Sequence, residues 1–162
     1  MVRLTKQTDY ALVLLTHMAR EQDCVRWTAG DLAEVASLPY PMVSKILKAL
    51  GRAGVLASQR GVKGGYSLAR EAAEISVAEV VESLEGPISL TECTHPDGSS
   101  CEHLGHCPTA GNWRLINEAV SNALRGLTLD RMAQPMRRLP SETEPEFSEA
   151  EPLEPQPTTV SR

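Results

Sequence analysis

Cys93, Cys101 and Cys107 stand in a C-x7-C-x5-C spacing inside residues 88–108, a stretch that also holds His95, His103, His106 and the turn formers Pro96, Asp97, Gly98 and Gly105. Turn formers at that density let one loop fold three thiolates around one centre. Three chemistries remain open for such a loop. An iron-sulfur centre, 2Fe-2S or 4Fe-4S, takes thiolates, and a shortfall from four protein ligands implies a non-cysteine ligand or an open iron that a sensor can exploit. A zinc site of Cys3His composition is chemically complete with His95, His103 or His106, although no C-x2-C pair is present to make a knuckle. The third is unligated structural or redox thiols. Cys24 lies outside the loop and reads as a small semi-buried thiol. His17 reads as a core histidine, and Trp113, just past the last cysteine, as core, interface or shielding for the cluster.

A second group of residues suits nucleic acid. Ser44, Lys45 and Lys48 share one side of a helical pattern whose other side is apolar, so they face base edges and phosphates. Arg60 and Lys63, set among Gly61, Gly64 and Gly65, make a slim basic tip able to approach a minor groove or a phosphate oxygen. Lys6, near the amino end of the first helix, adds a phosphate contact. The plain alternative for these cations is a solvated face.

The elements that must position both groups are legible in order. Tyr10, Val13, Leu14, His17 and Met18 mark the apolar stripe of a helix from Lys6 to about Glu21. Thr28 and Asp31 have capping-box spacing and start a second helix that Ser37-Leu38-Pro39-Tyr40 breaks. Pro41 suits the first turn of a third, with Val43, Ile46, Leu47 and Leu50 on its inner face, ended between Gly51 and Gly54. A hairpin follows through Val55–Ser58 and Tyr66–Leu68. Ser76 and Glu79 form a second capping box for a short helix with Val77, Val80, Val81 and Leu84, stopped at Gly86-Pro87. A long helix carries Trp113, Ile116, Val120 and Leu124, and Thr128 caps a last turn or two with Leu129, Met132, Ala133 and Met136.

The resulting fold class is mainly α: a winged helix-turn-helix with a small β-hairpin wing and a long C-terminal helix. The expected divisions are a DNA-binding region at 1–87, a cluster-binding loop at 88–108, C-terminal helices at 109–139 and a disordered acidic tail at 140–162. That tail holds five prolines and six glutamates. Aromatics make up only 4% of the 162 residues, so the core rests on Val, Leu, Ile, Ala and Met. The net charge of -5 conceals an asymmetry. Residues 1–70 hold ten Lys/Arg against five Asp/Glu, 71–139 five against ten, and 140–162 one against six. A basic half supports counterion release from double-stranded DNA whatever the overall pI. No apolar run approaches the roughly 18 residues of a membrane span, and Met1-Val2-Arg3-Leu4-Thr5-Lys6 leads into an amphipathic pattern, so a cytoplasmic protein with reduced thiols and no membrane contact is expected. Enzymatic activity is not expected, because no phosphate loop, nucleophile with its base or cofactor fingerprint is present.

Taken together, Leu4-Thr5-Lys6-Gln7-Thr8-Asp9-Tyr10-Ala11, the wing string Arg60-Gly61-Val62-Lys63-Gly64-Gly65-Tyr66-Ser67-Leu68 and the three cysteines before Trp113 resemble the Rrf-type iron-sulfur transcription regulators over about residues 1–137. The resemblance implies a homodimer, with 109–139 as its dimerisation helices, the long helix near 110–125 crossing to the partner and the cluster near the dimer contact. Thr8-Asp9-Tyr10-Ala11 and Asn112-Trp113-Arg114-Leu115-Ile116-Asn117 look most similar to the subgroup that controls the sulfur-mobilisation type of cluster-assembly operon. The branch with a histidine ligand places it three residues after the last cysteine; Ala110 stands there, so that ligand is excluded. The nitric-oxide-responsive branch uses an aspartate from the first helix of the partner subunit, and Asp9 matches that position. Its alternative role is to complement the helix dipole. The resemblance carries Arg60 over as the wing residue that reaches the minor groove, whereas Pro41 and Met42 stand where relatives place base-reading polar residues.

The expected function is that of a regulator, a repressor by this reading, which senses cluster, iron, redox or nitric oxide status and controls cluster-assembly genes. The rival is a zinc-stapled winged-helix module that binds another protein.

Overall fold

The computed structural model describes residues 4–21, 26–61, 64–96 and 101–134. Cys24, Lys63, Met136 and the acidic tail lie outside the described residues. Among the described residues, six helices and one hairpin follow in order: α1 (Lys6–Arg20), α2 (Ala29–Val35), α3 (Tyr40–Arg52), β1 (Leu56–Gln59), β2 (Gly65–Leu68), α4 (Val77–Glu85), α5 (Ala110–Arg125) and α6 (Leu129–Ala133), with 3-10 turns at Ala72–Glu74 and Glu92–Thr94.

Local chemistry sets most boundaries. Thr28 and Asp31 make the reciprocal box that starts α2, each side chain bonding the other's backbone N–H at 3.1 Å. Ser37, at φ 52°, turns the chain out of α2, and Leu38 N–H closes the turn on the Ala33 carbonyl at 2.9 Å. Pro41 sits in the first turn of α3, where a missing N–H costs nothing. Gly51 stays inside that helix, and Gly54, at φ +78°, is the residue that reverses the chain.

Three details differ from the sequence pattern. The inner face of α1 is Ala11, Leu14, Leu15, Met18 and Ala19, whereas Val13 is 37% exposed. α1 is apolar over more than one stripe, so periodicity alone leaves its rotation free. Only half of the second box forms: Glu79 N–H bonds the Ser76 hydroxyl at 3.2 Å, but the Glu79 carboxylate pairs with Arg70 instead. Thr128 occupies the N-cap position of α6, yet its hydroxyl donates to the Asp130 carboxylate rather than accepting from the helix.

The core gathers α1, Trp27, Leu32 of α2, the inner face of α3, Val55, Leu56, Ile75, Val80 and, from far along the chain, Leu129 at 0% exposure. Two main-chain bonds bring that last residue home. Val77 N–H donates to the Leu127 carbonyl at 2.8 Å, and Leu129 N–H to the Ile75 carbonyl at 3.0 Å. Arg20 adds a bond from Nε to the Ala133 carbonyl at 2.9 Å. The end of α5 and all of α6 are therefore part of the winged-helix body.

α1 and α4 are tied at their ends by Glu85, whose Oε1 accepts from Thr5 N–H at 2.9 Å and from the Thr8 hydroxyl. Partial burial pushes the Glu85 carboxyl up, but the bonds from Thr8 and Thr5 outweigh it, and the net direction is down. A depressed folded pKa stabilises the fold above the unfolded glutamate value and ceases to as pH falls through the folded value. Glu85→Gln should therefore be less stable than the parent by a constant margin from neutral pH down to the unfolded glutamate value of about 4.3, with urea midpoints converging only as the pH falls below it. A gap independent of pH would show that the charge of Glu85 does not matter.

Candidate nucleic-acid interface and cysteine loop

Val43, Ile46, Leu47 and Leu50 are all 0% exposed, which fixes the rotation of α3. Lys45, Lys48 and Arg52 then face solvent, and Ser44 is half-buried at the edge of the same surface. The sequence pattern had singled out Ser44, Lys45 and Lys48, and the structure brings them together on one face. It adds Tyr40, 57% exposed in the first turn, on the same side as Ser44 by i, i+4 spacing. Apolar residues at helix starts usually mark a staple or core contact, which is why Tyr40 went unread.

The wing pairs Leu56 with Leu68 and Gln59 with Gly65 in antiparallel register. Gly61 has φ +113°, and Gly64 N–H bonds the Gly61 carbonyl at 2.8 Å. A Cβ on Gly64 would run into the Gln59 carbonyl and come within 2.8 Å of the Gly61 carbonyl, so the tip closes only with glycine. Tyr66 and Trp27 exchange two main-chain bonds, at 2.8 and 2.9 Å, which anchor the wing to the segment before α2. Arg60 is exposed at the end of β1. Lys45, Lys48, Arg52 and Arg60 take no part in the ion pairs, Arg70 with Glu79 and Arg125 with Glu82, found among the described residues. Lys6 is exposed in the first turn of α1, as is Asp9.

The cysteines sit on a different surface. Cys93 lies in the 3-10 turn Glu92–Thr94 and is 8% exposed; Cys101 and Cys107 are half-buried, and all three are free thiols. Hydroxyls flank two of them: Thr91 Oγ1 is 3.2 Å from Cys93 Sγ, and Thr109 Oγ1 is 3.3 Å from Cys107 Sγ. Cys107 precedes α5, and the Thr109 hydroxyl first, then the amides of Thr109 and Ala110, hold its thiol below the ordinary range against a smaller opposing effect of burial. A cavity of about 560 Å³ opens where the Cys93 turn meets α5, with Cys93, His95, Leu104, Arg114, Asn117 and Ser121 among its walls.

Three reduced, soft thiols, one with its pKa lowered by neighbouring hydrogen bonds, suit an iron-sulfur centre by donor chemistry. Among the described residues, however, no group of three or more His, Cys, Asp or Glu side chains lies close enough to hold a metal ion. The loop therefore offers the right donors without gathering them. Trp113, expected as core, interface or shielding, is 37% exposed, and Leu115 and Ile116 beside it are 67% and 45% exposed. Sequence reasoning also passed over Asn117, whose side chain bonds Leu90 N–H at 3.0 Å and the Ile88 carbonyl at 3.1 Å. A polar residue set between Trp113 and Val120 in the apolar stripe of the helix was the available signal.

Residues 4–135 match the Rrf2 family of iron-dependent transcriptional regulators. The chain is 29% identical over 126 residues to the HTH-type transcriptional regulator NsrR of Shouchella clausii, covering 78% of this chain and 83% of that one. It is 26% identical over 133 residues to the HTH-type transcriptional regulator IscR of Xenorhabdus nematophila, with coverage of 82% and 80%. Among solved structures, CymR, the global cysteine regulator of B. subtilis, superposes with a TM-score of 0.68 at 26% identity, over 82% of this chain and 97% of its own. IscR of T. potens gives 0.62 at 23% identity, over 81% and 85%, and bears on the fold alone. No helix among the described residues is long and apolar enough to cross a membrane.

The low Cys107 thiol has a measurable consequence. In reduced, metal-free protein, the pH midpoint for alkylation of Cys107 by iodoacetamide, followed by mass spectrometry, should lie below that of an ordinary thiol, and Thr109→Val should move it up. Equal midpoints in the two proteins would exclude the Thr109 hydroxyl as the cause.

Proposed function

The chain belongs to the Rrf2 family of transcriptional regulators, and we propose that it is a homodimeric repressor whose hold on double-stranded DNA is set by an iron-sulfur cluster on Cys93, Cys101 and Cys107. The observation that carries the reading is the presence, in one folded body, of Lys45, Lys48, Arg52 and Arg60, exposed on α3 and the wing and outside the ion pairs found among the described residues, and a loop of three free thiols packed against α5. Relatives named NsrR and IscR support the regulator; the cluster, the dimer and repression are the finer reading.

On the DNA side, α3 enters the major groove with Ser44, Lys45 and Lys48 toward bases and phosphates, while Arg60 and Lys63 reach the minor groove and Lys6 a phosphate. The exposed Trp113, Leu115 and Ile116 of α5 supply an apolar surface for a second copy of the chain. Two recognition helices must then sit roughly 34–36 Å apart to meet successive turns of one duplex face. The useful divisions for this function are 1–87 for DNA, 88–108 for the cluster, 109–139 for the dimer and 140–162 as an acidic tail.

Cys93, Cys101 and Cys107 would hold the cluster, with Asp9 of the partner subunit as a further candidate ligand. When bound, the group supplies an iron centre that iron limitation, oxidation or nitric oxide can alter. The chain's own part is positional. Drawing the three thiolates together would fix residues 88–108 against α5, and α5 leads through Leu127 into α6, whose Leu129 lies in the winged-helix core. Zinc on the same thiolates is the competing reading; it predicts a colourless protein with stoichiometric zinc. Control of cluster-assembly genes follows from the resemblance of the Thr8–Ala11 and Asn112–Asn117 segments to that subgroup.

Anaerobic purification should give a brown protein that binds its operator, with affinity changed when the cluster is removed. Arg60→Ala should lose about 1–3 kcal/mol of operator affinity at unchanged thermal stability, and Lys48→Ala should lower the salt slope by about one. Operator affinity that is indifferent to salt and to Arg60 would remove the DNA reading, and affinity indifferent to the cluster would remove the sensing.

A further inference from the structure

The segment bearing Cys93 is a compact knot of hydroxyl bonds. Ser89 Oγ donates to the Thr91 carbonyl at 2.8 Å and lies 3.0 Å from Thr94 Oγ1. Thr94 Oγ1 donates to the Thr91 carbonyl at 2.8 Å and accepts from Thr91 N–H at 3.2 Å, while Thr94 N–H closes the 3-10 turn on the same carbonyl at 3.0 Å. Thr91 Oγ1 then touches Cys93 Sγ. The sulfur cannot move far without this unit moving with it.

The knot is attached to α5 through Asn117. Its amide oxygen accepts from Leu90 N–H and its amide nitrogen donates to the Ile88 carbonyl, the pair of bonds that a neighbouring strand would make. Asn117 is half-buried on the wall of the cavity that Cys93 also lines. Leaving two main-chain groups without partners in that setting is costly, so the contact is specific rather than incidental. Just past its C-terminal end α5 is fixed by Leu127 and Leu129 to Val77 and Ile75 of the winged-helix core. A 16-residue helix is a rod about 24 Å long, and this one is held at its middle by Asn117 and beyond its C-terminal end by these bonds.

We propose that Asn117 is the positioning residue that couples the Cys93 segment to α5, so that the state of the three-thiol site reaches the spacing of the recognition helices through these two bonds. The proposal rests on the function proposed above and adds the route by which its site is read. Asn117 need touch neither metal nor DNA; it acts by holding residues 88–90 to the helix.

Asn117→Leu keeps the volume and removes both bonds. In reduced, metal-free protein at fixed pH, alkylation of Cys93 should accelerate about ten-fold or more while that of Cys107 is unchanged, since local opening exposes the buried thiol alone. In anaerobically loaded protein, dimer mass and visible absorbance should persist while the ratio of operator affinities with and without cluster falls toward one. Asn117→Asp, which keeps the acceptor for Leu90 only, should give smaller shifts in both readouts and replaces the leucine variant if that fails to fold. An unchanged Cys93 rate or an unchanged affinity ratio would overturn the coupling; so would a folded variant that cannot be loaded, which would assign Asn117 to ligation alone. If the parent protein itself shows a ratio of one, the sensing function fails, and the Cys93 rate separately reports whether the clamp exists.

Discussion

The constraint on which everything else depends is the full burial of one face of α3. Val43, Ile46, Leu47 and Leu50 leave no accessible surface, and a helix with four buried side chains on one side has no rotational freedom left. Ser44, Lys45, Lys48 and Tyr40 are presented to solvent as a consequence. The wing is placed by the same logic at one remove: Val55 and Leu56 are buried in the core, Gly64 closes the tip, and Arg60 is carried to its end.

The second constraint is topological. α5 leaves the cysteine loop, runs along α4 and ends in two main-chain bonds that seat Leu129 beneath α1. An element that reads as a separate dimerisation module is thus built into the DNA-binding body. Any force applied at the loop acts on a helix that leads into α6, whose Leu129 lies in the core that also orients α3. The exposed Trp113, Leu115 and Ile116 remain on the outer side of that rod, available to a second chain while its inner side is committed.

The thiol loop follows a different rule. Its local order comes from short-range hydroxyl bonds around Thr91 and Thr94 and from amides at the start of α5, not from an apolar core. Such bonds fix individual sulfurs well and the distances between them poorly, which is why Cys93 is buried and the Cys107 thiol is held below its ordinary range although no metal-holding group is assembled among the described residues. A loop of this kind is ready for a ligand whose binding energy does the assembling.

How much could be read in advance varies with the range of the interaction. Capping at Thr28, the proline start of α3, the inner face of α3, the hairpin and the stop at Gly86 are all set by neighbours within four residues or by a single periodicity, and the sequence alone determined them. The same is true of the grouping of the candidate donors, three cysteines among turn formers in one short stretch. The rotation of α1, the diversion of Glu79 to Arg70, the return of Leu129 to the core and the clamp of Asn117 on Ile88 and Leu90 were decided only by tertiary structure. Each joins residues distant in the chain or chooses between local options of similar energy, and neither a spacing nor a propensity records which partner lies across the gap.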